Sequence, residues 1–595
     1  MDLRLSLAVS LWLLLLAVAL FPILKKGDFT SRLWKNTVTT FLVLLAVALP
    51  VWRVRSLLYN GEINVDESQI LAQALKYLSD PMPWRSVVGG SSGPLNTWVL
   101  LWAPLLGLKL GYLAARITGL FCTFALLSGT IFSLSEIAGT RLALLAAMPA
   151  TTLLLSTLNL DFLHFSSEQF PSALCAWIVY LIARQRKRTS RTRAYLLGFL
   201  TGALPFTKLQ VAPAGVLLFI FGIIIIWATK DTTLSKNRNT LAQILGGLTV
   251  PILILAPVAA AGVWPDFMEF YIQSGLRYSN SGHRISAVDF LFKGVPDFSA
   301  FIMVLIAASV GALFLQLARR PSRFFSPTNL SLGAGVLSLF GVMLYGILRA
   351  GFGFPHYLML LIGPSTLVFG WLASNLFNEQ SLLNTVPSEI QASLGEFVLT
   401  APSKKAKQAP PATHTNSSAS FDPHSEASRD KRLGFGIAFV AVFLCLFQAR
   451  STFAIYSQNK HFLASWGQET NPIADALKQI AKPGDSLCIW GWYAKLHVFT
   501  QLRPATRFAA GNLEVDPPLE INPTLRAFLS DVQTSKPAFF VDASDEFTFP
   551  GSSPGSQPRY HTFPEFSRWI QSEYTLIGST QTHPSRRPVL IYKRR

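Results

Sequence analysis

The chain is poor in charge, poorer still in acid, and almost free of cysteine. Charged residues are 14% of its 595 residues, against roughly 25% in a soluble domain. Hydrophobic residues are 50%, and mean hydropathy is +0.38. A soluble enzyme and a disordered chain are both excluded. The cysteines number only 4, and Cys122, Cys175 and Cys445 fall inside apolar runs. A disulfide-stapled secreted scaffold is therefore excluded too. Asp plus Glu is 32 against 51 Lys plus Arg, a net charge of +19. A pI near 9.9 would ordinarily point to nucleic acid. Such contacts need polar surface, of which this chain has little, so no nucleic-acid partner is expected.

What the sequence has in abundance is long apolar runs. A membrane-crossing helix needs about 20 mostly apolar residues. Runs of that kind lie at 5–24, 37–56, 116–133, 142–158, 169–183, 194–208, 209–229, 240–262, 297–317, 330–348, 357–374 and 433–449. The expected fold is a polytopic α-helical membrane protein with about twelve spans. Loop 184–193 holds Arg184, Arg186, Lys187, Arg188, Arg191 and Arg193 with no acid, so it is expected in the cytoplasm. Loop 25–36 is basic as well. An even number of spans must separate the two loops. The apolar segment 95–110 is therefore read as an interfacial helix on the outer surface, the alternative being a true span with one loop breaking the rule. Residues 57–115, 159–168, 263–296 and 349–356 then fall outside. The five short inner loops carry 17 of the basic residues and 3 of the acids, so the basic balance mainly records orientation.

The domain organisation follows from these runs. Residues 1–374 form the transmembrane domain, with a long first outer loop at 57–115. Residues 375–432, rich in Ser, Pro and Ala, read as a flexible cytoplasmic linker. Residues 433–449 form the last span, and 450–595 an extracytoplasmic tail of globular composition. In the tail, Asn471-Pro472 starts a helix running to Ile480. Ser486–Gly491, Pro537–Asp542 and Val589–Tyr592 read as strands, and Pro564–Tyr574 as a helix. The tail is expected to be a small α/β domain.

Polar groups near the outer ends of the spans are the candidates for chemistry. Asp66-Glu67 opens an amphipathic helix with Ile70, Leu71, Ala74, Leu75 and Leu78 at helical spacing. The bland reading is a capping box of Asp66 with Gln69. Asp161 and Glu168 lie in a short outer loop, where acids are usually just solvated. Lys208 must sit at a turn between two apolar runs, where a lone lysine usually snorkels. Arg277, His283 and Arg284 lie in loop 263–296. His356-Tyr357 opens a late span, where such pairs often only anchor the interface. Together these residues place carboxylates and cations on one side of the bilayer. That arrangement suits a carboxylate base plus cations for a phosphate leaving group.

The order of these motifs resembles the GT-C superfamily of polyprenyl-phosphate-sugar glycosyltransferases. The resemblance is strongest to the branch of bacterial aminoarabinose transferases and protein O-mannosyltransferases. It runs from Asn64 to about Thr229 and returns near His356. It is carried by Asp66-Glu67, Gly93-Pro94-Leu95-Asn96-Thr97-Trp98, Arg116, Asp161, Thr207-Lys208 and His356-Tyr357. In the tail, Trp490-Gly491 matches the pattern, and Arg503-Pro504-Ala505-Thr506-Arg507 matches it loosely. One departure is clear: Ser92-Gly93 stands where the aminoarabinose branch has Glu-Lys.

The resemblance implies an inverting glycosyltransferase that takes a sugar from a polyprenyl-phosphate donor to an envelope acceptor. It implies Asp66 as the base, and Glu67 and Asp161 as acceptor- or metal-binding residues. Lys208, Arg277, Arg284, His356 and Tyr357 are the candidates for the donor phosphate. It leaves the metal unassigned, a divalent cation being the one cofactor it admits. The expected location is the bacterial cytoplasmic membrane, with the site on the outer side. The competing class is a transporter or lipid flippase, which twelve spans also suit. Transporters place ionisable groups or broken helices near the midplane, whereas these spans hold almost no charge.

Overall fold

The computed structural model describes residues 3–25, 30–281, 285–319, 321–374, 376, 436–437, 439–450, 468–509, 522–544, 559–581 and 586–595. The linker expected at 375–432 lies outside the described residues except for Leu376. The described chain is a polytopic helical membrane protein with a small C-terminal sheet.

Seven helices among the described residues are long and apolar enough to cross a membrane. They are Leu5–Leu24, Ser31–Leu58, Tyr112–Ile137, Leu209–Ala228, Thr233–Ala260, Pro296–Arg319 and Asn329–Ala350. The other expected spans correspond to helices that are shorter or more polar. These are Thr140–Ser156, Gln169–Lys187, Arg191–Thr207, Met359–Leu372 and Phe439–Arg450. Thr140–Ser156 is buried almost from end to end, so it is wrapped by other helices rather than by lipid. Gln448 on the last helix donates to the Pro149 carbonyl at 2.9 Å, which returns the chain to the centre of the bundle.

Segment 95–110 is not one helix. It folds as two short pieces, Pro94–Trp98 and Trp102–Leu105, and neither approaches spanning length. Pro94 starts the first, and Gly107 turns the chain after the second at φ +73°. The turn expected at Lys208 is present. Helix Arg191–Thr207 ends there, Lys208 is extended (φ −154°, ψ 128°), and a short 3-10 turn leads into Ala212–Ala228.

The tail sheet has five strands: β1 Ser486–Trp490, β2 Arg503–Pro504, β3 Phe539–Asp542, β4 Tyr574–Thr580 and β5 Val589–Arg594. Their order is β2-β1-β3-β5-β4. β1 runs parallel to β2 and β3, while β5 is antiparallel to β3 and β4. The three strands read from sequence are β1, β3 and β5. Pro472–Ile480 starts with Asn471 as cap and Pro at its first turn, as its dipeptide predicts. Helices Lys495–Thr500 and Pro523–Ser535 and strands β2 and β4 were not legible in advance. β1 and β3 are buried along nearly their whole length, as a central parallel pair should be. Gly491, at the end of β1, takes φ +107°, and a Cβ there would lie 2.4 Å from the Ala543 carbonyl oxygen. No other residue fits that turn.

The segments expected on the outer side meet at one end of the bundle. Residues from 57–115, 159–168, 263–296 and 349–356 line a single cavity. At the opposite ends of the helices, Arg184 pairs with Glu136 and Thr189 with Asp231. These contacts join the segments 134–141, 184–193 and 230–239.

Candidate active site

The helix Val65–Tyr77 forms because its apolar residues fall on one face and Asn64 caps it. The Asn64 side chain accepts from the Asp66 amide at 2.9 Å. The capping-box reading of Asp66 with Gln69 is therefore incorrect: Asn64 is the cap, and the Asp66 carboxylate is left for other work. Asn64 also donates to Asp161 Oδ1 at 2.6 Å, tying the two acidic segments together.

Asp66 and Glu67 are neighbours on a helix, so their side chains diverge by about 100°. Asp66 faces the cavity, with a third of its side chain exposed. Glu67 faces the protein and is fully buried. Arg116, on Tyr112–Ile137, grips it through Nε at 3.0 Å and Nη2 at 2.7 Å. Arg116 also donates to the backbone carbonyls of Ser56, Tyr59 and Gly61. Glu67 is thus the anchor of segment 57–115 and does not line the cavity. That departs from its expected place on acceptor or metal.

The cavity has a volume of about 1100 Å³. Asp66, Asp161, Lys208, Arg277, His356 and Tyr357 all line it. Arg284, and its neighbour His283, lie outside the described residues. Arg277 is half exposed and pairs with Glu269 at 2.6 Å. Tyr357 is buried, shares a hydrogen bond with Tyr278 at 2.6 Å, and presents its ring to Lys208 Nζ at 5.0 Å.

Lys208 does not snorkel. It is 3% exposed, and its Nζ donates to Glu168 Oε1 at 2.5 Å and Ser167 Oγ at 2.7 Å. Glu168 is completely buried, so the solvated reading of this acid is corrected. Burial alone would raise its pKa, but Lys208 and His356 outweigh that and lower it to about 2.

His356 joins the acids. Its Nε2 lies 3.6 Å from Asp66 Oδ2 and 4.0 Å from Glu168 Oε1, and its Nδ1 lies 3.9 Å from Asp161 Oδ2. These separations are electrostatic rather than hydrogen-bonded. Phe354 stacks on the imidazole with planes 10° apart, fixing its orientation. Burial disfavours the imidazolium, yet Glu168, Asp161 and Asp66 prevail and raise its pKa above the ordinary value. Asp161 moves the opposite way: burial raises its pKa, and His356, with His164 and Asn64, brings it below normal. Among the described residues no three His, Cys, Asp or Glu side chains are arranged to hold a metal ion.

Three supports of this site were not read from the sequence. Arg53, buried within Ser31–Leu58, donates to the carbonyls of Phe162 at 2.7 Å and Leu154 at 2.6 Å, holding the Asp161 turn. A charge inside an apolar run is a signal that could have found it. Residues 91–93 form the second support. Ser92 makes a bridge with Lys208, the Leu209 amide bonds Ser91, and the Gly93 amide bonds Thr207. Gly93 is required there, because a Cβ would lie 2.1 Å from the Phe206 carbonyl oxygen. So Ser92-Gly93, the departure from the aminoarabinose pattern, belongs to the extended segment that holds the Lys208 turn. The tail is the third. Trp492 and Phe508 line the cavity. Arg507, next to Phe508, bonds Asp531 through Nε and Nη2 at 2.9 Å each and reaches Asp266 at 3.3 Å.

No family model matches the sequence, and no curated relative does. Among solved structures, the chain is similar to ArnT from Cupriavidus metallidurans bound to undecaprenyl phosphate. The identity is 15%, covering 93% of this chain and 98% of that one, with a TM-score of 0.49. It is also similar to the Archaeoglobus fulgidus oligosaccharyltransferase tethered with an acceptor peptide. There the identity is 10%, covering 87% of this chain and 70% of that one, with a TM-score of 0.44.

Proposed function

We propose that the chain is an inverting glycosyltransferase of the membrane. It moves a hexosyl or pentosyl unit from a polyprenyl-phosphate donor to an envelope acceptor, which is a lipid, glycan or protein. The reaction is assigned to the outer face of the bacterial cytoplasmic membrane. The observation that carries this reading is the shared cavity. A partly exposed Asp66 carboxylate lines it together with Lys208 and Arg277.

Asp66 takes the proton from an acceptor hydroxyl. The acceptor oxygen attacks the anomeric carbon from the face opposite the phosphate. The carbon–oxygen bond to phosphate breaks, and its electron pair leaves with the lipid phosphate. Lys208 and Arg277 lie where they would offset the charge that grows on that oxygen. His356, set among three carboxylates with its Nε2 3.6 Å from Asp66 Oδ2, suits a role in positioning the base. Asp161, tied to Asn64, is suited to orient the acceptor. The aromatic wall of Phe508 and Trp492 offers the flat apolar surface on which a sugar ring packs.

The test is transfer by purified full-length protein, with a sugar on undecaprenyl phosphate, the lipid held in the similar ArnT structure. Products are read by mass spectrometry against envelope lipids, glycans and peptides. Wild type should release undecaprenyl phosphate and yield a product of inverted configuration, and Asp66→Asn should yield almost none. Near-normal turnover by Asp66→Asn would remove the proposed base. Movement of the intact lipid across liposomes, without sugar transfer, would replace the enzyme reading with transport.

A further inference from the structure

A second cavity lies at the far end of the helices that carry the site. It is bounded by Arg184, Lys187, Arg188, Thr189, Ser190 and Arg193, and its volume is about 400 Å³. Glu168 precedes helix Gln169–Lys187 and Lys208 follows Arg191–Thr207, so this cavity is roughly 28 Å from that ion pair, a full helix length. It stands apart from the transfer reaction.

We propose that this cavity binds a phosphate-bearing anion, the headgroup of an anionic phospholipid. Four cations and the side chains of Thr189 and Ser190 surround it; the Thr189 hydroxyl is bonded to Asp231, whose carboxylate is not among the lining residues. Arg184 and Lys187 are already balanced by Glu136, at 3.1 and 2.8 Å. Arg188 and Arg193 have no carboxylate within ion-pair distance among the described residues. Arg193 spends its guanidinium on the carbonyls of Arg184 and Arg188, at 3.2 and 2.5 Å, which draws the loop around the cavity.

Two further observations agree. Helix Arg191–Thr207 begins with Arg191 and Arg193 and has no acid in its first turn, and the side chain of its N-cap Ser190 makes no capping hydrogen bond, the Ser190 backbone bonding Gln185 instead. Cations at a helix N-terminus oppose the helix dipole, and a bound anion relieves both problems. Positive loops are ordinary on the inner side of membranes, but orientation alone needs neither a cavity nor cations placed against a dipole. The lipid source is favoured by what lies next along the helix. Tyr195 and Leu196 are exposed, at 37% and 42%, one turn from the cavity, where acyl chains would run. Basic pockets between helices hold headgroups in this way.

The experiment is native mass spectrometry and binding titration of the full-length protein in detergent. The probes are dioleoyl phosphatidylglycerol, dioleoyl phosphatidylcholine and millimolar inorganic phosphate. Wild type should retain the anionic lipid in clear preference to the zwitterionic one. Arg188→Gln should weaken it roughly fivefold, and Arg188→Gln with Arg193→Gln roughly thirtyfold. Arg238→Gln with Arg319→Gln removes equal charge from other inner segments and should leave binding unchanged. Displacement of the lipid by inorganic phosphate, still dependent on Arg188, would keep the anion site and assign it to a soluble phosphate. No preference for the anionic lipid, or equal loss in both double variants, would overturn the proposal. Arg188 is exposed, so its single variant folds even if the double does not.

Discussion

Lys208 and Glu168 form an ion pair 2.5 Å apart, with side chains 4% and 0% exposed. One comes from the break after Arg191–Thr207 and the other from the residue before Gln169–Lys187. The pair therefore joins two helices directly beneath the cavity. Removing one partner of such a pair strands a charge in a low dielectric and costs about 3–5 kcal/mol. Glu168→Gln should lower the melting temperature in detergent sharply. Glu168→Met with Lys208→Met should cost less than either single change, because no charge is stranded. A double variant as unstable as the sum of the singles would show that the two do not interact.

The same pair makes acid stability predictable. Glu168 has its pKa depressed from 4.5 to about 2. Its stabilisation is present above 4.5 and lost as pH falls from there toward 2. Thermal unfolding followed from pH 5 downward should show this loss, and Glu168→Gln should flatten it.

His356 titrates in the opposite sense. Burial opposes its charge, but Glu168, Asp161 and Asp66 raise its pKa above 6.5. Its stabilising contribution is whole below 6.5 and disappears as pH rises through the raised value. Melting temperature should therefore fall across the neutral and mildly basic range in wild type. In His356→Gln that slope should disappear. An unchanged slope would mean that the imidazole does not carry the effect.

Asp66 and Glu67 should separate function from stability. Asp66→Asn is expected to cut turnover by about 10² to 10⁴ with little change in melting temperature. Glu67→Gln should cost about 3–5 kcal/mol, since Arg116 loses its buried carboxylate. The measurement is kcat beside thermal unfolding for both variants.

Gly93→Ala should be damaging although the residue has no functional group. The new Cβ would lie 2.1 Å from the Phe206 carbonyl oxygen, forcing residues 91–93 off the Lys208 turn. Overpacking of this kind costs about 1–3 kcal/mol. Turnover should fall with stability, and Gly90→Ala serves as a nearby comparison, since nothing lies within 4 Å of its added Cβ, although its φ of +62° adds backbone strain.

Much of this was legible from sequence, because the bilayer constrains length and composition so strongly. Apolar runs located the helices, and Lys and Arg in short loops grouped their ends. Period and turn residues located Pro472–Ile480 and strands β1, β3 and β5. The sequence also singled out Asp66, Asp161, Lys208, Arg277, His356 and Tyr357, which share one cavity. It could not say what each side chain meets. Asp66 and Glu67 look alike in sequence, and helix rotation alone sends one to the cavity and the other to Arg116. Lys208 looks like a snorkelling lysine, and only packing brings Glu168 to it. Ser92-Gly93 looks like a missing motif, and only the close approach of Phe206 shows why small residues stand there. Local composition determines which segments leave water and at which end their polar residues collect. Which charges pair and which stay open to a substrate is decided by contacts between residues far apart in the chain, and those exist only once the helices have packed.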